Sequence, residues 1–288
     1  MSRADLLRAL GALVVEEPER SGVLGTALGL DQVPTGQEST ELFAFQLYPY
    51  GSVYLGPEGK LGGIARDRTA GFLRVLDVTP PPEPDHLTVL LDAYAQLVEL
   101  DDSGTGRARH ARRALLHEHL LSWVPRFWSR AEELAPDSLR GWARLLSEVL
   151  SDEARVVGPP DTLPAHLAEA PDLDASVDQD MAALVDGVLA PVRSGLVIAR
   201  ADLVRACREV GVGLRIGERA YALKAMLEQQ PHDVLAWLAR EARRQREHVT
   251  VADEFGATPE FWRDRLERTA TRLDAMVHGT EPRTVGAS

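Results

Sequence analysis

Apolar residues recur along most of this chain at the i, i+3, i+4, i+7 spacing of a helix with one buried face, and no segment alternates with the period of a strand. The clearest stripe is Leu87, Leu90, Leu91, Tyr94, Leu97 and Val98, which ends at the turn Asp101-Asp102-Ser103-Gly104. Each such side chain contributes roughly 1.5–3 kcal/mol when fully buried, enough to fix that face against a core. Upstream, Leu6, Leu7, Leu10 and Leu13 predict an amphipathic helix over 4–15, terminated by Glu16, Glu17 and Pro18. The glycine-rich residues 22–36 predict a short helix and a loop. Residues 38–47 predict another helix, with Leu42, Phe43 and Phe45 near one side. It ends at Tyr48-Pro49, because the residue before a proline avoids helical geometry. Gly59, Gly62, Gly63 and the charged run Arg66-Asp67-Arg68 predict an exposed loop, then a short helix over 69–76.

Downstream, residues 108–123 form a helical pattern with Leu116, Leu120 and Trp123 on one stripe, interrupted by Pro125. Asp137 or Ser138 is placed to cap a further helix carrying Leu139, Trp142, Leu145, Leu146, Val149 and Leu150. Between 158 and 177 prolines alternate with acids, the composition of a linker. A second helical block starts at Met181, and its helix with Leu203, Ala206, Cys207 and Val210 is closed by Gly211. Residues 212–216 are short and extended; 218–229 and 234–247 are helical on either side of Pro231. Thr258 and Pro259 start the last helix, which carries Trp262, Leu266, Leu273 and Met276. The fold class is all-α. The expected division is a helical domain over 1–157, a Pro/Asp-rich linker over 158–177, a helical accessory domain over 178–278 and a disordered tail over 279–288.

Composition narrows the class of function. The 288 residues are 44% apolar and 26% charged, ordinary for a soluble globular protein. A formal net charge of -12 disfavours nucleic acid and anionic lipid as partners. Cys207 is the only cysteine, which excludes an intrachain disulfide and a cysteine metal cluster. The first twenty residues lack the apolar core of a signal peptide, and no run approaches the roughly 18 apolar residues of a membrane span. The expected location is the cytoplasm, with no stable membrane insertion. His117 and His119 stand about 200° apart on a helix, so they share no face and are expected to be solvated or capping. There is no GxGxxG, no phosphate loop with a lysine and no Gly-x-Ser-x-Gly elbow. Nothing assembles a nucleophile and a base, so no catalytic residues, metal or cofactor are expected.

Two segments stand out. Leu47-Tyr48-Pro49-Tyr50-Gly51-Ser52-Val53-Tyr54-Leu55-Gly56 holds three tyrosines, a proline and two glycines in a protein that is only 6% aromatic. Such density makes either a core plug or the wall of a pocket. Glu83-Pro84-Asp85-His86-Leu87 follows a proline run and opens the clearest helix. Asp85 there either caps that helix or faces a ligand.

In this order, and followed by His119-Leu120-Leu121-Ser122-Trp123-Val124-Pro125-Arg126-Phe127, the two segments resemble the TorD/DmsD/NarJ family over about residues 1–150. The resemblance implies an all-helical, cytoplasmic chaperone for molybdenum-cofactor oxidoreductases. Such a protein binds the precursor of the catalytic subunit, often at its twin-arginine signal peptide, and holds back export until the cofactor is loaded. Pro49, Tyr50, Ser52 and Tyr54 match the family's proline-aromatic-x-serine-x-aromatic segment. Asp85 and His86 match its acidic-proline-Asp-His motif, and the resemblance implies that these six residues line the signal-peptide pocket. Trp123, Pro125 and Phe127 match a structural helix-and-kink. The region before Glu38 matches poorly, and the block over 178–278 lies outside the family core, as an extension whose role the resemblance leaves open. It also leaves open whether the chain forms a homodimer.

One alternative comes from the extension. Residues 200–228 read helix, glycine-containing turn, helix, with seven basic residues between Arg193 and Lys224, the outline of a helix-turn-helix DNA-binding regulator. Against it stand the long turn and the acidic net charge.

Overall fold

The structure, a computed structural model, describes residues 1–15, 18–102, 104, 106–173 and 180–279. Glu16 and Glu17 as helix terminators, Ser103 in its turn, the last part of the expected linker and the tail from Thr280 lie outside the described residues. All regular structure described is helical, and the one β-type contact is an isolated antiparallel bridge between Tyr50 and His86.

The first block runs α1 (Arg3–Ala12), α2 (Pro18–Ala27), α3 (Gly36–Thr40), α4 (Gly51–Leu55), α5 (Gly63–Val75), α6 (Leu87–Asp102), α7 (Gly106–Ala114), α8 (Val124–Leu134) and α9 (Asp137–Val157). The stripe on α6 is buried throughout. Against it lies α1, close enough that a Cβ on Gly11 would stand 3.2 Å from the Thr88 Cα. The Thr88 hydroxyl donates to the Gly11 carbonyl at 2.7 Å, and Trp142 on α9 donates its indole N–H to the Leu10 carbonyl at 2.9 Å.

Several local expectations change. Helix α5 starts at Gly63, so Arg66-Asp67-Arg68 lies inside it rather than in a loop. Pro125 is the second residue of α8, in the first turn where its missing N–H costs nothing, instead of interrupting a longer helix. Pro136, not Asp137 or Ser138, occupies the N-cap position of α9. Two stretches are π-helical turns, Glu41–Gln46 and Leu115–Leu120. His117 and His119 sit in the second and are buried, not solvated. The His117 Nε2 is 2.9 Å from the Gly158 carbonyl, and the His119 Nδ1 is 3.2 Å from the Thr69 hydroxyl.

The later elements are α10 (Ala165–Ala168), α11 (Met181–Val188), α12 (Pro191–Ser194), α13 (Arg200–Val210), α14 (Arg219–Gln229), α15 (Pro231–Glu247) and α16 (Thr258–Gly279). One apolar cluster runs from Leu7 and Leu91 through Phe127 and Trp128 to Trp237 and Trp262. Trp262 donates to the Ser122 carbonyl at 3.1 Å, across the two blocks. Arg126 on α8, almost wholly buried, reaches the Gly195 carbonyl and the Gln245 side chain, each at 3.0 Å. Gly195 has a φ of 76°, and a Cβ there would lie 2.7 Å from Leu266, so only glycine fits beside that helix. Arg130 is paired with the equally buried Asp202.

Candidate functional site

The chain places the two tyrosine- and acid-bearing segments side by side. The Leu87 N–H donates to the Pro49 carbonyl and the Gly51 N–H to the Asp85 carbonyl, both at 2.9 Å. These two bonds make the bridge between Tyr50 and His86. The short helix α4 starts directly after Tyr50, whose own side chain does not cap it. Asp85 does so instead: its Oδ2 accepts the Ser52 N–H at 2.8 Å. Of the two alternatives for Asp85, the cap is present but on α4 and not on the helix it precedes. His86 takes over that position, its Nδ1 accepting the Thr88 N–H of α6 at 3.2 Å. That bond leaves the proton on Nε2 in the neutral ring. Burial lowers the His86 pKa, with Glu83 and Asp85 opposing.

Tyr50 stands edge-on to His86, with ring centres 4.6 Å apart, and its hydroxyl donates to Glu83 at 2.8 Å. Desolvation and then the Glu83 carboxylate push that hydroxyl's pKa up to about 12, so it remains a donor. Ser52 is fully buried and accepts the Gly62 N–H at 3.1 Å. Tyr54 is buried against Trp123, rings stacked at 5.0 Å, and meets Phe127 edge-on at 6.1 Å. A Cβ on Gly51 would lie 3.2 Å from the Trp123 indole nitrogen, a tight approach that the indole would have to yield to. All three sequence segments thus meet at one place.

A groove of about 370 Å³ opens over Pro49, Tyr50 and His86, completed by Val14, Val15, Ser39 and Phe43. Ser52, Tyr54 and Asp85, the other residues picked from the sequence, do not line it; they hold its floor from behind. Val14 and Val15 were missed because they follow the periodic part of α1, where sequence carries no signal of what a helix end will face. On the far side of the 41–50 segment a second groove of about 420 Å³ is lined by Phe45, Tyr48, Leu189, Arg200 and Arg219. Ala44 borders both. The formal charges of the second groove cancel, with Lys60, Arg200 and Arg219 against Glu58, Asp186 and Glu218.

The helix-turn-helix alternative finds no support. Arg205 is bound to Asp202 and Glu241, Arg219 donates to the Ile198 carbonyl and Arg200 to the Gly217 carbonyl. These cations face their own chain, not a groove of DNA. Among the described residues no three His, Cys, Asp or Glu side chains are placed to hold a metal ion, and no helix is long and apolar enough to cross a membrane.

Residues 37–129 match the family described as nitrate reductase delta subunit. The chain is also similar to the chaperone protein TorD of Vibrio vulnificus (strain YJ016), 35% identical over 94 residues, which is 30% of this chain and 44% of that protein. The match therefore spans less than half of the length of TorD. Both the 41–50 segment and the Glu83–His86 segment lie inside the matched residues, as do Trp123 and Phe127. Over residues 37–129 this chain is thus similar to the nitrate reductase delta subunit family, and over 94 residues to a TorD chaperone.

Proposed function

We propose that this protein is a redox-enzyme maturation chaperone. In this reading it acts in the cytoplasm, binds the precursor of a molybdenum-cofactor oxidoreductase at its signal peptide or N-terminus, and keeps it from export while the cofactor is loaded. It binds rather than catalyses. The observation that carries the reading is the groove over Pro49, Tyr50 and His86, formed where the two family segments pair. Apolar walls from Val14, Phe43 and Pro49 suit the apolar stretch of such a peptide, and the Glu83 carboxylate at the Tyr50 hydroxyl suits a neighbouring cation. Ser52, Tyr54 and Asp85 support the wall without touching the client. Burying about four leucine-sized side chains contributes roughly 6–12 kcal/mol gross, and association costs about 4–15 kcal/mol. The binding is therefore moderate and reversible, as a handover requires.

Calorimetry with N-terminal peptides from the host's molybdoenzyme precursors tests this. Saturable binding that Tyr50→Ala weakens is the expected result; no binding to any precursor peptide or full-length precursor overturns the reading.

A further inference from the structure

Three residues of the segment that leads into the groove are each held by the block outside the family match. The Arg200 guanidinium lies over the Phe45 ring, 5.9 Å from its centre. The Ala201 N–H, in the first turn of α13, donates to the Gln46 side-chain oxygen at 3.0 Å. The Arg219 guanidinium, at the start of α14, lies over the Tyr48 ring at 5.6 Å and donates to the Ile198 carbonyl at 2.6 Å. Gln46 also donates to Glu41 at 2.7 Å, closing the π-helical turn on itself. Pro49 and Tyr50, the groove wall, come directly after.

Arg219 is mostly buried and touches no carboxylate, and desolvation lowers its pKa. An aliphatic side chain would fill that space at less electrostatic cost. What arginine supplies there is a flat cation that stacks on Tyr48 while donating sideways to Ile198. The backbone here is tied at Leu47, which donates to Leu42, and at Pro49, whose carbonyl accepts from Leu87, while Pro49 has no N–H to give. These ties hold the wall on the Asp85–Leu87 side, and the side-chain contacts at Gln46 and Tyr48 hold it on the other.

We propose that the C-terminal block is a positioning device for the client groove, with Arg219 and Gln46 as positioning residues that set the Pro49–Tyr50 wall through Tyr48 and the π-helical turn. This rests on the reading that the groove holds the client. The block then acts on binding without itself touching the peptide.

The test uses full-length protein labelled with 3-fluorotyrosine, which reports on the five tyrosines by fluorine NMR. The Tyr50 line is assigned with Tyr50→Phe, and buried Tyr94 serves as the control. Arg219→Met and, separately, Gln46→Ala are expected to shift or broaden the Tyr50 line while the Tyr94 line stays in place. Arg219→Lys should restore it only in part, because an ammonium can sit over Tyr48 but cannot also donate from a planar fork. In a second arm, the same variants should bind the precursor peptide roughly three- to tenfold more weakly, the loss expected when a wall is no longer preorganised. A Tyr50 line unchanged in both variants overturns the proposal, as does a shifted line with unchanged peptide affinity. Wild-type protein that binds no precursor peptide overturns the client reading instead, since the tyrosine line is read without peptide.

Discussion

The Asp85 carboxylate accepts the Ser52 backbone N–H at 2.8 Å, so an acid that stands before one helix caps another that ends thirty residues earlier. His86, its neighbour, caps the helix that Asp85 precedes. Two adjacent side chains thereby fix the starts of α4 and α6 and the corner of the groove between them.

Asp85→Ala is expected to cost about 0.5–2 kcal/mol of stability, the usual loss on removing a helix cap. Because the cap also ties 51–52 to 85–86, peptide affinity should fall with it. Urea denaturation and calorimetry on one variant check both. Unchanged stability would show that the Ser52 N–H finds another partner.

Acidification should destabilise the protein through its buried histidines. Burial, with the His166 charge adding to it, lowers the His119 pKa from its ordinary 6.5 to about 3. Burial and then Arg68 lower that of His166 to about 4. Between these values and 6.5 the unfolded chain holds protons that the folded chain refuses, so stability rises with pH across that window. It is lost as pH falls from 6.5 toward 4, by about 1.4 kcal/mol per unit for each proton fully taken up. Denaturation midpoints at several pH values should show this slope, and His166→Asn should flatten it.

Asp202 lies at the seam between the blocks, where its carboxylate meets the buried Arg130, Arg205 and the Ala199 N–H. Asp202→Asn leaves buried Arg130 with only the partly exposed Glu133 as a charge partner and is expected to cost up to about 3–5 kcal/mol. Arg130→Met in the same chain should recover part of that loss. A recovery measured by urea denaturation would identify the loss of the buried Asp202 partner, not lost packing, as the cause.

A chain ending at Val157 is expected to be poorly soluble. Ser122 would lose Trp262, Arg126 would lose Gln245 and Gly195, and Trp128 would lose Phe255, which stands 6.0 Å from it. Size-exclusion chromatography reads the outcome, and a monodisperse, cooperatively unfolding fragment would mark residues 1–157 as a domain in its own right.

The period of the apolar residues was enough to establish an all-helical chain and the buried face of α6, because one side of a helix must leave water wherever it packs. The order of three short segments was enough to show the resemblance to the TorD/DmsD/NarJ family. Sequence also picked Pro49, Tyr50 and His86 for the groove. It could not separate them from Ser52, Tyr54 and Asp85, since lining and supporting residues differ only in which way the folded backbone turns them. The burial of His117 and His119 was illegible for a related reason: both are polar by type, and only the packing of α5 and of the Gly158 loop removes them from water. Val14 and Val15 became groove residues because α1 ends where the Tyr50 segment crosses. Local periodicity is set by neighbours in the chain, whereas Tyr50 meets Glu83 and His86, and the segment leading to it meets Arg219 and Ala201, partners that only the tertiary structure brings together.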